Sequence, residues 1–186
     1  MYSTDDVDVD ISDRLLETAI QADFVQGERL AVDPDDPIVR VELHRLSLYH
    51  HFLGMDRTAD WSGHTIEHAL SGLYDLIHGE GLSIVTPAWL RYIAPRHPRK
   101  LVQLASRVLH IDTFSLTGKQ VVLQLADYAE GLYRRIGLKT RLHEHGLGED
   151  DIKAVARLAT RNDTRKVGRY IPLDSHDVAD LLRLGL

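Results

Sequence analysis

Apolar residues recur at helical spacing along most of this 186-residue chain, and this periodicity is what most constrains its fold. The clearest segment is TGKQVVLQLADYAEGLYRRIG, in which one stripe is formed by Val121, Leu125, Tyr128 and Leu132. Thr117 and the glutamine three residues later match the capping box that begins many helices. Strand patterns are scarce, and only the short segment RYIPL weakly favours one. The sequence therefore predicts helices rather than a sheet.

Breaks in this periodicity divide the chain into about seven helices, which predicts an all-α bundle. A first helix begins at Ser12 and ends at the proline- and aspartate-rich segment VDPDDP. A second helix runs from about Ile38 to Leu53. Residues 1–11 read as an acidic lead-in without an apolar signal region. We therefore predict one helical domain over residues 12–186.

Charge and composition exclude several classes of protein. The net charge of −6 does not favour a surface for nucleic acid or for an anionic membrane. No apolar run approaches the roughly 20 residues that a membrane-spanning helix needs. The lack of cysteine excludes disulfides and thiolate metal ligands, and it fits a reducing compartment such as the cytoplasm. The 11 histidines are the one compositional oddity.

Three of these histidines lie in the segment DWSGHTIEHALSGLYDLIHGEG. His64 and His68 are four residues apart, so they share one face of a helix, and two imidazoles at this spacing can hold a metal ion. His78 lies fourteen residues beyond His64, which on a continuous helix is about 21 Å and too far to share an ion. A common site therefore requires the helix to end between them.

The sequence permits such a break. A helix that ends near Tyr74 or Asp75 could fold His78 back, with Gly79 and Gly81 turning the chain and letting backbone pass close to the site. A mostly buried helix, GLSIVTPAWLRYIA, would follow. In the other reading, His64 and His68 lie on a solvated helix face and His78 lies in a loop. The pattern alone leaves both readings open.

The histidine segment and several segments around it resemble a known family. The segment DWSGHTIEHALSGLYDLIHGEGLSIVTPAWLRYI is similar to the metal-site segment of the iron-dependent (group III) alcohol dehydrogenases, in the branch of the butanol dehydrogenases and NADPH-dependent aldehyde reductases. The segments LASRVLHI and GRYIPLDSHDVADLL downstream, and DISDRLLETAIQA upstream, continue the resemblance in order and approximate spacing. The resemblance implies the C-terminal helical domain of that family.

The resemblance also implies roles for the three histidines. His64 and His78 match the two histidines of the helical domain that bind a divalent metal, either iron or zinc. His68 matches a pocket histidine near the substrate and nicotinamide, where it could relay a proton. The implied reaction is the metal- and NAD(P)-dependent oxidation of an alcohol or reduction of an aldehyde. The alternative is a non-catalytic helical module that binds a metal or a partner protein.

Two parts of the family pattern are missing from this chain. The family binds its nicotinamide cofactor with an N-terminal α/β half, but no strand-rich region or glycine-rich phosphate loop is found here. The family also supplies an aspartate and a histidine, four residues apart, to the metal, and no such pair precedes DISDRLLETA. We therefore expect a weakly held metal, and NAD(P) binding only with a complementary chain. We also expect inactivity in isolation and a homo-oligomer formed through an uncovered apolar face.

Other histidines could replace the missing ligands. His44, His50 and His51 lie on the second predicted helix, and positions 44 and 51 share a face because they are seven residues apart. The pattern favours a solvated or half-buried face for them over a metal site.

Overall fold

A computed structural model of the protein describes residues 10–53 and 60–186, apart from the side chains of His51 and Leu53. This part of the chain folds into eight α-helices and one short 3-10 helix, which confirms the predicted all-α fold with one helix more than expected. The α-helices are α1 (Asp10–Val32), α2 (Pro37–Leu53), α3 (Ser62–Tyr74), α4 (His78–Ile93), α5 (Arg99–Leu109), α6 (Gly118–Arg135), α7 (Glu149–Ala159) and α8 (Ser175–Arg183); the 3-10 helix is Leu142–His145.

The structure differs from the sequence-based prediction at the start of α1 and in the segment RYIPL. Helix α1 begins at Asp10, two residues before the predicted start at Ser12, and residues 1–9 of the acidic lead-in lie outside the described residues. The segment RYIPL forms no strand. A single antiparallel bridge instead joins Val167 and Leu173, whose backbone N–H groups each donate to the other residue's carbonyl, at 2.8 and 2.7 Å.

Helix α4 forms the centre of the core. It packs against α3, α6 and α8, and Ile84, Val85, Ala88 and Ile93 are almost completely buried along it. This agrees with the apolar density of the segment, because a helix that is apolar on several sides has to be enclosed by others. Pro87 lies inside the helix. The central position of α4 fixes the place of its first residue, His78.

The turn between α3 and α4 is made by an aspartate, which corrects the prediction that glycines make it. Asp75 adopts the left-handed conformation, with φ 53° and ψ 36°, and its N–H donates to the Ser71 carbonyl at 2.9 Å. Aspartate is among the few residues other than glycine that tolerate this conformation. Gly79 and Gly81 lie instead in the first turn of α4.

A buried ion pair attaches α1 to α5. The Lys100 ammonium lies 2.6 Å from the Asp13 carboxylate, and both side chains are about 1–2 % exposed. Gln103 donates to the same carboxylate at 2.8 Å, and Arg107 lies 3.2 Å from Glu17 one turn further along α1. Because a buried charge is stable only with partners, these contacts fix the position of α1 against the rest of the bundle.

Helix α2 packs mainly against α1 and leaves one apolar side uncovered in the described structure. Its exposed apolar side chains are here called the α2 face: Ile38, Val41, Leu48, Tyr49 and Phe52. Their spacing of three, four and seven residues places them along one side of the helix. Within residues 10–53 and 60–186, no helix is long and apolar enough to cross a membrane.

Candidate metal centre

The break between α3 and α4 brings the three predicted histidines together. The ring centre of His64 lies 6.2 Å from that of His68 and 5.4 Å from that of His78, and the rings of His68 and His78 are 5.5 Å apart. Two imidazoles that bind one tetrahedral ion place their ring centres roughly 5 Å apart, since each metal–nitrogen bond is about 2 Å. Of the two readings that the pattern left open, the structure therefore shows the one in which the histidines converge, while their individual roles stay predictions.

A buried carboxylate that sequence reasoning missed lies beneath these histidines. Glu67 is 0 % exposed. Its Oε1 accepts a hydrogen bond from the Ser71 hydroxyl, and its Oε2 contacts Nδ1 of His78. Nε2 of His68 lies 3.9 Å from the same Oε2. A signal was available in the sequence, because Glu67 shares the apolar side of α3 with Leu70 rather than a solvated side.

Gly81 lets α4 approach Glu67 closely. A Cβ atom at position 81 would lie 2.6 Å from Glu67 Oε1 and 2.7 Å from its Cγ, distances that non-bonded atoms do not adopt. A Cβ at Gly79 would meet nothing within 4 Å. The predicted close passage of backbone beside the site therefore holds for Gly81 and not for Gly79.

The side chains whose potential ligand atoms lie close together are not the predicted pair of ligands, His64 and His78. Among the described residues, one group of three offers ligand atoms within 4.8 Å of each other: Glu67, His68 and His78. His64 is not in this group. The side chains of His68 and His78 are 68 % and 52 % exposed, whereas Glu67 has no exposed surface. The imidazoles are therefore accessible to an ion, and the carboxylate is enclosed.

The surroundings of His64 favour its neutral form. Burial lowers the pKa of His64, and the neighbouring His78 and His68 act in the same direction. A lowered pKa means that less of the imidazole is protonated at a given pH. The neutral imidazole is the form that binds a metal, so the electrostatics of the cluster suit a ligand at this position.

An apolar cavity of about 280 Å³ lies beside His64. Its wall includes Phe24 from α1, Trp89 from α4, and Leu125 and Tyr133 from α6. The indole N–H of Trp89 donates to the Ser62 hydroxyl at 2.7 Å, which fixes the ring at the wall of the cavity. His64 is the member of the histidine cluster that lines this cavity, and most of the other lining side chains are apolar.

Asp60 holds the start of α3 in place. Its carboxylate accepts backbone N–H groups from Ser62 at 2.6 Å, Arg169 at 3.0 Å and Tyr170 at 2.8 Å. Trp61, between Asp60 and the helix, packs its ring edge-on against His64 at 5.2 Å. Asp60 therefore connects the beginning of α3 to a second segment, near residue 170.

The histidines of α2 have other surroundings in the described structure. Nε2 of His50 contacts the Asp23 carboxylate on α1, and His44 is exposed. The side chain of His51 lies outside the described residues. His50 therefore has a partner within the α1–α2 pair, in keeping with the half-buried face that the pattern favours.

Comparison with known proteins identifies the family. The family model for the Fe-containing alcohol dehydrogenase family, C-terminal, matches residues 4–185. The chain is 28% identical over 180 residues to the probable NADH-dependent butanol dehydrogenase 1 of Bacillus subtilis (strain 168), a match that covers 94% of this chain and 45% of that protein. The chain therefore spans about half the length of the curated relatives it matches.

Solved structures show the same fold. The NADH-dependent butanol dehydrogenase A of Thermotoga maritima superposes with a TM-score of 0.82 at 27% sequence identity, covering 99% of this chain and 48% of that one. The aldehyde reductase YqhD of Escherichia coli, in a form free of substrate and cofactor, gives a TM-score of 0.86 at 21% identity. That match covers 100% of this chain and 49% of that one, and it shows the fold alone.

The contrast between two glycines in one helical turn tests the packing of Glu67. We expect Gly81→Ala to lower the free energy of unfolding by about 1–3 kcal/mol, because the added methyl group overlaps the enclosed Glu67 side chain. Gly79→Ala is the matched control and should raise it by about 0.4–1 kcal/mol, because the methyl group meets nothing. Urea unfolding followed by circular dichroism measures both. Equal stability of the two variants would contradict this packing.

Proposed function

The chain belongs to the Fe-containing alcohol dehydrogenase family, of which it matches the C-terminal part, and on that premise we propose that it supplies the metal-site half of a metal- and NAD(P)-dependent alcohol or aldehyde oxidoreductase. The observation that carries the proposal is the convergence of His64, His68 and His78, with ring centres 5.4–6.2 Å apart. The apolar cavity beside His64 supports a small apolar alcohol or aldehyde as substrate.

In this proposal His64 and His78 hold the metal. The burial of His64 favours its neutral form, and the exposed His78 presents a second imidazole 5.4 Å away. Glu67 is less suited to be a ligand, because both its oxygens already have partners and neither is exposed. A divalent ion, iron or zinc, would supply Lewis-acid polarisation of the substrate oxygen.

His68 is proposed as the group that moves a proton. Its side chain is 68 % exposed and its ring lies within 6.2 Å of both other imidazoles. An imidazole titrates near neutral pH, so it can give or accept a proton at the substrate oxygen. Hydride transfer would need a nicotinamide, NAD or NADP, bound by a complementary cofactor domain.

The residues present fit only part of such a metal site. A catalytic divalent ion usually takes three or more protein ligands in a fixed geometry. His64 and His78 provide two, so the remaining ligands must come from elsewhere, such as His68, a second copy or a complementary chain. We therefore propose that this chain holds its ion weakly when it is alone.

The first test concerns the ion. Titration with zinc should show weak binding by the unmodified chain, and His64→Ala or His78→Ala should weaken it roughly tenfold or more, because each removes one of few ligands. His176→Ala, on the exposed surface of α8, is the control and should bind like the unmodified chain. Tight, stoichiometric binding that survives both site substitutions would place the metal elsewhere.

The second test concerns catalysis. We predict that the purified chain alone neither oxidises alcohols nor reduces aldehydes with NAD(H) or NADP(H). Holding hydride donor and acceptor together supplies much of the rate of such a reaction, and the proposal places the cofactor site in a complementary domain. The measurement is nicotinamide absorbance with metal-loaded protein. Cofactor-dependent turnover that copurifies with the unaccompanied chain would refute the prediction.

A second candidate function is a non-catalytic helical module that binds a metal or a partner protein, and the α2 face favours it. This face exposes Ile38, Leu48 and Phe52 to 64%, 50% and 74%, although monomeric proteins rarely leave large apolar patches uncovered. We propose that a second copy of the chain covers it in a symmetric dimer. The same dimer is compatible with the enzyme half, so turnover in the presence of a complementary cofactor domain, rather than metal binding or association, separates the two functions.

The dimer has a direct test. Light scattering should give the mass of a dimer for the unmodified chain and of a monomer for Leu48→Glu, because the new charge would be buried between two copies. Leu158→Glu on α7 is the matched control, since Leu158 is 48% exposed and Leu48 is 50% exposed. A monomeric unmodified chain at high concentration, or equal dimerisation by both variants, would contradict the role of the α2 face.

A further inference from the structure

The burial of Glu67 calls for an explanation, because a carboxylate without water is unfavourable unless hydrogen-bond donors surround it. Glu67 has no exposed surface, and its partners in the described structure are the Ser71 hydroxyl and the imidazoles of His78 and His68. All of these groups belong to the α3–α4 pair. The carboxylate therefore serves the histidine cluster rather than an ion pair with a distant part of the bundle.

The contact with His78 indicates which imidazole nitrogen carries the proton when Glu67 is ionised. Glu67 Oε2 faces Nδ1 of His78, and an ionised carboxylate can only accept hydrogen bonds. Against an ionised carboxylate, the Nδ1 atom carries the hydrogen of this contact and donates it. In a neutral imidazole this leaves the lone pair on Nε2, which is the nitrogen that remains able to bind a metal.

The carboxylate is itself held from two sides. The Ser71 hydroxyl donates to Oε1 from one turn further along α3, and the backbone of Gly81 leaves no room for a Cβ atom beside Oε1 and Cγ. An enclosed side chain with both oxygens engaged has few other conformations. The orientation of His78 is therefore imposed by a rigid group.

We propose that Glu67 is the positioning residue of the cluster, which holds His78 in the Nδ1–H form so that Nε2 binds the metal. A carboxylate on the far nitrogen of a metal-binding histidine fixes the tautomer and raises the basicity of the ligand. This inference rests on the proposed function for the ion itself. The tautomer, by contrast, is a property of the metal-free chain and can be measured without any ion or activity.

The experiment is ¹⁵N NMR of the histidine rings in the full, metal-free chain at mildly alkaline pH. We expect His78 in the Nδ1–H form in the unmodified protein. Glu67→Leu should move it to the Nε2–H form that free histidine prefers, because no acceptor remains. Glu67→Gln should restore the Nδ1–H form, because the amide oxygen can accept the same hydrogen bond. Glu80→Gln, at a half-buried acidic residue in the first turn of α4, is the control and should leave the spectrum unchanged.

Zinc titration of the same variants gives the second readout. Glu67→Leu should weaken zinc binding by roughly 10–100-fold and Glu67→Gln by less, as for other residues that orient metal ligands. Circular dichroism and thermal unfolding identify any variant that is not folded. If Glu67→Leu does not fold, the tautomer of His78 in the unmodified chain carries the test, because a histidine without an acceptor on Nδ1 prefers the Nε2–H form. An Nε2–H or doubly protonated His78 in the unmodified chain would overturn the proposal, as would undiminished zinc binding by Glu67→Leu. An Nδ1–H His78 in a chain that binds no zinc would instead contradict the proposed function.

Discussion

The hydrogen bonds of the Glu67 carboxylate are the interaction on which the histidine cluster depends. A carboxylate enclosed between two helices needs donors. The Ser71 hydroxyl on α3 is one, and Nδ1 of His78 at the start of α4, which contacts the other oxygen, is proposed as the second. The close approach at Gly81 is required for this contact, because any larger residue would separate the two helices. Two helices joined by a short connection are thereby held at one geometry, and the three imidazoles meet as a consequence.

The helices around α3 and α4 hold this pair in place, and the proposed metal site between them lacks some of its ligands. Helix α4 is the most enclosed helix of the core, and Asp60 attaches the start of α3 to the segment near residue 170, so neither end of the cluster moves independently. The cluster offers three imidazoles and borders an apolar cavity, which suits a Lewis-acidic ion beside a small apolar substrate. The chain spans about half the length of its relatives, and the proposed chemistry places the nicotinamide on a cofactor domain outside these residues.

Much of this could be predicted from the sequence, and the failures have physical causes. Helical periodicity predicted the all-α fold, and the fourteen-residue spacing of His64 and His78 required a break that the structure places after Tyr74. The predicted helix end near Tyr74 or Asp75 is confirmed, but the assignment of the turn to Gly79 and Gly81 was wrong, because Asp75 adopts the left-handed conformation that glycine usually supplies. The position of Glu67 on the apolar side of α3 was a signal that it is buried, but its contacts with His78 and with the backbone of α4 are tertiary and no pattern within α3 specifies them.

The position of a bound ion is the most direct test of the proposed metal site. Crystals of the chain soaked in zinc, with anomalous scattering measured at the zinc edge, would locate it and show which nitrogen atoms bind it. We expect one ion coordinated by His64 and by Nε2 of His78, with Glu67 still on Nδ1 of the same ring and outside bonding distance of the metal. An ion bound directly to the Glu67 carboxylate, or one bound away from His64 and His78, would contradict it.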